Sequence, residues 1–346
     1  MARGGCSGTP TPTTPPSPAC AATTWRPAAV PRDSTPIAVC SRSFSRNPVL
    51  RAELLERYDN VTFNDTGASL SGDALADYLR GHARAVIALE TVDAALLDRV
   101  PELRVIAKYG VGLDMLDLDA MAARGVSLGW TGGVNKRSVT ELVISFAVAL
   151  LRHVPAANGE VRAGTWRQHV GRLLSDRTVG IVGCGHVGKD LAVILRALGC
   201  TVLAHDIRDF SDFYARHDIE PVTLEDLLAR ADVVTLHLPL DASTRGILSA
   251  DRLALLRADA VLINTARGNL VDEAALKAML MDGRLAAAAF DVFATEPPED
   301  AELLNLPNFL ATPHIGGSAE EAILAMGRAA IEGLGRFGDP HQVAAS

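Results

Sequence analysis

After residue 36 the chain alternates between short apolar runs and longer stretches in which apolar residues recur every three or four positions. The runs "IAVC" (37–40), "AVIAL" (85–89), "RVIA" (104–107) and "VSLG" (126–129) are rich in β-branched residues and predict strands. Stretches such as "NPVLRAELLERY" and "LDAMAARG" lie between them and predict helices. A long segment, "SVTELVISFAVALLRHVPAANGEVRAG" (138–164), predicts continuous helix, opened by Ser138 with Glu141 three residues on, the capping-box pattern. A second alternating series follows. Its predicted strands are "TVGIVG" (178–183), "TVLAHD" (201–206), "DVVTLHL" (232–238), "AVLINT" (260–265), "AAAFDVF" (287–293) and "FLATP" (309–313). The last stretch, "SAEEAILAMGRAAIEGLGRF", predicts a helix. Strands alternating with helices imply parallel sheets covered on both faces, and nothing repeats at a solenoid period. The expectation is two α/β domains of doubly wound parallel sheet.

Composition narrows the class. At 346 residues and 48% apolar content, the chain can bury two cores. Its 33 basic and 41 acidic residues include no long basic run, and aromatics are only 5%. That argues against nucleic acid as a partner. Cys6, Cys20, Cys40, Cys184 and Cys200 are scattered and never spaced as CxxC, so neither a disulfide framework nor a metal site is expected. Free thiols fit a cytoplasmic protein. No apolar run approaches a membrane span, and "LVISFAVALL" (142–151) is too short. Residues 1–36, rich in Pro, Thr, Ser and Ala, read as a disordered tail or an overextended start, not as a secretory leader.

The sharpest motif is "TVGIVGCGHVGKDLAVILRALGCTVLAHD". Gly183, Gly185 and Gly188 form GxGxxG between a strand and an amphipathic helix expected over 189–198. In that setting the first glycine permits a tight turn, the second admits a pyrophosphate, and the third lets helix and strand pack closely. The helix N-terminus offers free N–H groups to the anion, His186 and Val187 lying within the loop. Asp206 ends the next strand and would accept hydrogen bonds from the adenosine ribose, which favours NAD over NADP; Arg208 weakens that preference slightly. The fold expected for each half is therefore Rossmann-like.

Ligands of such sheets sit beyond the carboxyl ends of the strands. Three strand ends carry candidate chemistry: Arg267 after "AVLINT", Asp291 and Glu296 at and after "AAAFDVF", and His314 after "FLATP". Moving a hydride between nicotinamide and a carbonyl carbon requires a proton moved on or off the oxygen, a task suited to histidine. A carboxylate on the far ring nitrogen fixes the tautomer and favours imidazolium. An arginine can clamp a substrate carboxylate bidentately. His314, Glu296 and Arg267 supply these parts. His82, His153, His169, His217 and His341 read as surface residues, and His205 as a neighbour of the adenosine.

The segments "KYGVGLDMLDLDAMAARGV", "NKRSVTELV", "VGIVGCGHVGKDLA", "LHLPLDASTRGIL", "INTARGNLVDEAAL", "AAFDVFATEPP" and "ATPHIGG" together resemble the D-isomer-specific 2-hydroxyacid dehydrogenases, the group containing D-3-phosphoglycerate dehydrogenase. The resemblance spans about 37–337. It implies that His314 is the general acid/base, Glu296 its partner and Arg267 the substrate anchor. It implies that Gly110, Val111 and Gly112 hold the substrate carboxylate by backbone N–H groups. Asp291 would meet the nicotinamide carboxamide, with Thr265, Ala266, Gly316 and Gly317 lining the same region, and His237, Pro239 and Thr244 would pass the adenosine half. The layout implied is discontinuous: a substrate domain over 37–137 completed by a helix in 314–340, and an NAD-binding domain over 138–313. A homodimer using the segment around 138–164 is also implied.

The chain departs from the family where it reads "GWTGGVNKRSV": Trp130 and Gly132 stand where Asn and Pro are usual. Lys108 and Arg137 flank the presumed cleft, either as a solvated basic patch or as the receptor of a second substrate anion, a phosphate or phosphonate. Glu296 excludes the formate dehydrogenases, which use glutamine there, but not a phosphite-oxidising relative. The chain is expected to lack the regulatory domain that serine-pathway phosphoglycerate dehydrogenases often add. A second class also fits the resemblance: NAD(H)-sensing corepressors of this fold that bind peptide partners.

Overall fold

The computed structural model describes residues 32–345; Cys6, Cys20 and the tail up to residue 31 lie outside the described residues. Two sheets organise the chain, and every strand pair in both is parallel. The first holds β1 (Ile37–Val39), β2 (Val61–Phe63), β3 (Arg84–Ile87), β4 (Val105–Lys108) and β5 (Ser127–Gly129), in the order β2-β1-β3-β4-β5. The second holds β6 (Thr178–Val182), β7 (Thr201–His205), β8 (Glu220–Pro221), β9 (Val233–Leu236), β10 (Val261–Asn264), β11 (Ala287–Phe290) and β12 (Phe309–Ala311), in the order β12-β11-β10-β9-β6-β7-β8. Both orders reverse partway, which opens a crevice at the strands' carboxyl ends.

The period-two side-chain alternation of a strand explains why the sheets are covered on both faces. In β10, Val261 and Ile263 join one buried cluster while Leu262 joins the other. In β11, Ala287 and Ala289 face one side and Ala288 and Phe290 the opposite one. The crossover helix Lys136–Leu151 buries Val143, Phe146, Ala147 and Leu150 in the core of the second sheet. The late helix Glu320–Gly333 packs back on β4 and β5 of the first. The chain thus passes between the sheets twice, at 130–135 and at 312–319.

Several expectations are corrected. The segment 138–164 is two helices, Lys136–Leu151 and Val154–Arg162, bent by 62°. Pro155 cannot continue the first helix's bonding, and His153 adopts a left-handed φ of 56° at the break. The capping box does not form. The N-cap is Asn135, and the Ser138 hydroxyl donates to the Gly316 carbonyl at 2.7 Å. The glycine-loop helix starts earlier than expected, at His186. Order reaches back past Pro36, for Asp33 bridges to Tyr58. The short strands β2 and β8 and the helix Pro340–Ala345 were not legible.

Candidate active site

Backbone geometry builds the dinucleotide loop first. Gly183 has a φ of +94°, and a Cβ there would lie 2.5 Å from the His237 carbonyl oxygen. A Cβ on Gly188 would come within 2.2 Å of the Gly183 carbonyl oxygen, so only glycine lets helix and strand meet. At Gly185 nothing lies within 4 Å of that position. Gly185 is the N-cap of His186–Ala197, with no side chain capping the free N–H groups of the first turn, where His186 and Val187 stand.

Asp206 directly follows β7 and takes two roles in the protein itself. It accepts from Cys184 N at 2.6 Å, bracing the glycine loop, and from Arg208 N at 2.8 Å. Beside it Ile207 is 94% exposed, a bare apolar surface at the crevice rim. His237 and Pro239 follow β9. The His237 ring meets the Thr235 hydroxyl at 3.0 Å, and burial holds it well below the ordinary histidine range, hence neutral. Thr244 closes the following turn by donating to Pro239 O at 2.7 Å. After β10 the buried Thr265 hydroxyl has no hydrogen-bond partner among the described residues. An uncapped helix start, an open glycine, an unmatched buried hydroxyl and a carboxylate at the next strand end all suit a dinucleotide.

His314 follows β12. Its Nδ1 lies 3.0 Å from Glu296 Oε2, and Glu296 Oε1 accepts from Phe293 N at 3.1 Å. An ionised carboxylate only accepts, so Nδ1 carries the hydrogen and Nε2 remains to exchange a proton. His314 holds a left-handed φ of 55°, a conformation costing a non-glycine residue about 1–3 kcal/mol. The compensating contacts are close by. Asp291, 1% exposed, accepts from Ile315 N at 2.8 Å, Gly316 N at 2.7 Å and the Thr312 hydroxyl at 2.5 Å. Hydrogen bonds to a charged group contribute about 1.5–3 kcal/mol each, so three outweigh the strain. Gly316 is thereby fixed from both sides, by Asp291 and by Ser138, and Gly317 lies against the Asn135 amide. Asp291, read from sequence as a cofactor contact, has its carboxylate committed to the histidine loop.

Arg267 projects from the turn after β10. The buried Asn264 sets that turn: its amide donates to Arg267 O at 2.8 Å and its carbonyl accepts from Ala266 N at 3.1 Å. Arg267 Nε donates to Asp114 Oδ2 at 2.7 Å and one terminal amine to Ala266 O at 2.6 Å. The other amine lies against Gly112, 1.9 Å from where a Cβ would stand. Arg267 thus leaves the second sheet and reaches the loop after β4 of the first. In that loop the N–H groups of Gly110, Val111 and Gly112 donate to no protein acceptor among the described residues.

Lys108 and Arg137 do not share a patch. Lys108 is 3% exposed, and its Nζ donates to Ala88 O at 2.5 Å and Tyr109 O at 3.4 Å. Burial pulls its pKa down to about 8. The solvated reading therefore fails for Lys108. Arg137 is exposed and forms a two-pronged pair with Asp190 at 2.8 and 2.9 Å. Sequence reading missed Asp114, Asn264, Thr312 and Ser138. All four sit inside motifs quoted for their neighbours; the partners of Asp114, Thr312 and Ser138 are far along the chain, whereas Asn264 shapes its own turn locally.

The fold and this crevice define a dinucleotide-binding protein built on two doubly wound parallel sheets, with a histidine–carboxylate pair beyond the strands of the second. The family model "D-isomer specific 2-hydroxyacid dehydrogenase, NAD binding domain" matches residues 144–316, half of the chain. A D-3-phosphoglycerate dehydrogenase of Mycobacterium bovis is 40% identical over 67% of this chain and 44% of its own length. A hydroxypyruvate reductase of Thermotoga maritima is 34% identical over 70% of this chain and 79% of its own. The solved structure of the TT0316 protein from Thermus thermophilus superposes with a TM-score of 0.76 at 32% identity, covering 87% of this chain and 96% of that one. The chain belongs to the D-isomer specific 2-hydroxyacid dehydrogenase family, and its second sheet is that family's NAD-binding domain. It spans under half the length of the mycobacterial relative.

Proposed function

We propose that the protein interconverts a 2-oxo acid and the D-2-hydroxy acid, with NAD(H) as the redox partner. What supports this is the His314–Glu296 pair beyond one strand of the second sheet and Arg267 beyond another, the latter reaching the loop 110–112, whose N–H groups have no protein acceptor among the described residues. Those N–H groups and the outer amine of Arg267 take the substrate carboxylate. The substrate's C2 oxygen then faces His314, whose Nε2 gives a proton in reduction and removes it in oxidation. Glu296 accepts from Nδ1 and keeps the ring oriented. Gly185, His186, Val187, Asp206, His237, Pro239, Thr265 and Ala266 line the dinucleotide's path, with Asp291 and Gly316 beneath its reactive end. When bound, NADH supplies the hydride. Residues 37–137 with the helix after 314 act as the substrate lid, and 138–313 as the cofactor domain; their closure excludes water.

The substrate includes acids bearing a second anion, in line with the phosphoglycerate-specific name of the mycobacterial relative. Lys108, already held by two carbonyls, is a weaker receptor for that anion than its position in sequence suggests. Association as a homodimer is supported by the apolar surface of the helix Val154–Arg162 and the segment after it, where Val154 is 51%, Trp166 84% and Val170 94% exposed. A cytoplasmic location is in keeping with the three buried free thiols Cys40, Cys184 and Cys200. The deciding experiment follows NADH oxidation with a panel of 2-oxo acids and assigns the product's handedness. Consumption with D-product supports the reading. NADH binding with no turnover would instead favour an NAD(H)-sensing binding protein.

A further inference from the structure

We infer that Trp130 is a positioning residue that ties the dinucleotide loop to the substrate loop. This rests on the reading of 110–112 as the carboxylate receptor. Trp130 follows β5, where the chain leaves the first sheet. Its indole Nε1–H donates to the Val111 carbonyl at 3.1 Å. That bond fixes the plane of the Val111–Gly112 peptide and hence the direction of the Gly112 N–H.

The other edge of the indole faces the hinge. A Cβ on Gly132 would lie 2.9 Å from the far ring carbon of Trp130, and 3.0 Å from Nε2 of His186. Gly133, at a φ of +68°, would place its Cβ 2.5 Å from the His186 ring. The two rings therefore flank one side-chain-free stretch of backbone, and close packing allows neither to move without displacing it. His186 is the first residue of the glycine-loop helix, where the diphosphate approaches. A contiguous path thus runs from His186 through Gly132–Gly133 and Trp130 to Val111, close packing at the two glycines and a hydrogen bond at Val111.

Packing alone does not account for this indole. Its ring joins the buried cluster of the first sheet, a role phenylalanine would fill equally. Only the N–H bonds to Val111. Two consequences separate positioning from filling. Saturating NAD+ shifts the indole N–H resonance of Trp130 in the 15N-labelled full chain, assigned with Trp130→Phe, and leaves that of the exposed Trp166 in place. Trp130→Phe raises KM for the 2-oxo acid about fivefold while kcat changes less than twofold and NADH affinity is unchanged, as loss of one neutral hydrogen bond predicts. An unmoved Trp130 resonance overturns the inference. So does an unchanged KM, or a parallel loss of kcat and NADH affinity, which would mean a collapsed cleft. Should the wild-type protein reduce no 2-oxo acid, the functional reading fails and the indole shift alone decides this inference.

Discussion

Arg267 and Asp114, 153 positions apart in sequence, meet with Nε 2.7 Å from Oδ2, and their pair joins the two sheets across the cleft. Asp114 occupies one edge of the guanidinium and Ala266 O a second donor, which turns the remaining amine to Gly112. A lysine has no such fork. Arg267→Lys is expected to lower kcat/KM for the 2-oxo acid about 100-fold, mostly through KM, with NADH affinity unchanged. Steady-state kinetics with separate NADH titration checks this.

The glycine loop gives a prediction that separates fold from binding. Gly185 has a φ of −75° and open space where a Cβ would go. Gly185→Ala should change stability by less than about 1 kcal/mol yet weaken NADH binding at least about tenfold, since the methyl enters the diphosphate's place. Gly188→Ala should damage both, because its Cβ meets the Gly183 carbonyl. Denaturant midpoints and NADH fluorescence titrations on the two variants test the contrast.

Asp291→Asn replaces an acceptor-only group by one with two donors facing donors. With the residue 1% exposed, the loss is expected to be about 3 kcal/mol in unfolding free energy, seen by urea melting. Turnover should fall as well, because the strained backbone at His314 loses its brace.

Lys108 makes stability depend on pH in a defined direction. Burial lowers its pKa from 10.5 to about 8, so the folded protein binds the proton less tightly than the unfolded chain. Stability therefore rises with pH between about 8 and 10.5, by about 3 kcal/mol in total, and the cost is fully present below 8. In Lys108→Met this rise is absent. Urea melts of both proteins across that range should show the wild type gaining on the variant as pH increases.

Much of this was legible in the sequence, because strand, glycine turn and helix are local patterns. The strands around "TVGIVG" and "AVLINT" end within a residue of expectation, since fully buried parallel strands read as unbroken apolar runs. The site residues lie at strand ends for the same reason. What stayed hidden depends on distant partners. Lys108 reads as a solvated cation or an anion receptor until the segment after β3 brings the Ala88 carbonyl to its buried amine. Ser138 and Glu141 match a cap locally, but the Gly316 carbonyl takes the hydroxyl. The Trp130 indole means nothing without Val111 beside it.

His314, held by Glu296, is proposed to move the proton in an NADH-dependent reduction. The direct measurement compares NADH oxidation by the wild type and His314→Gln, each saturated with the best 2-oxo acid of the panel. A proton-transfer role for His314 predicts a fall of about 10³-fold in kcat with NADH affinity within twofold of wild type. A variant that retained the wild-type rate would contradict it.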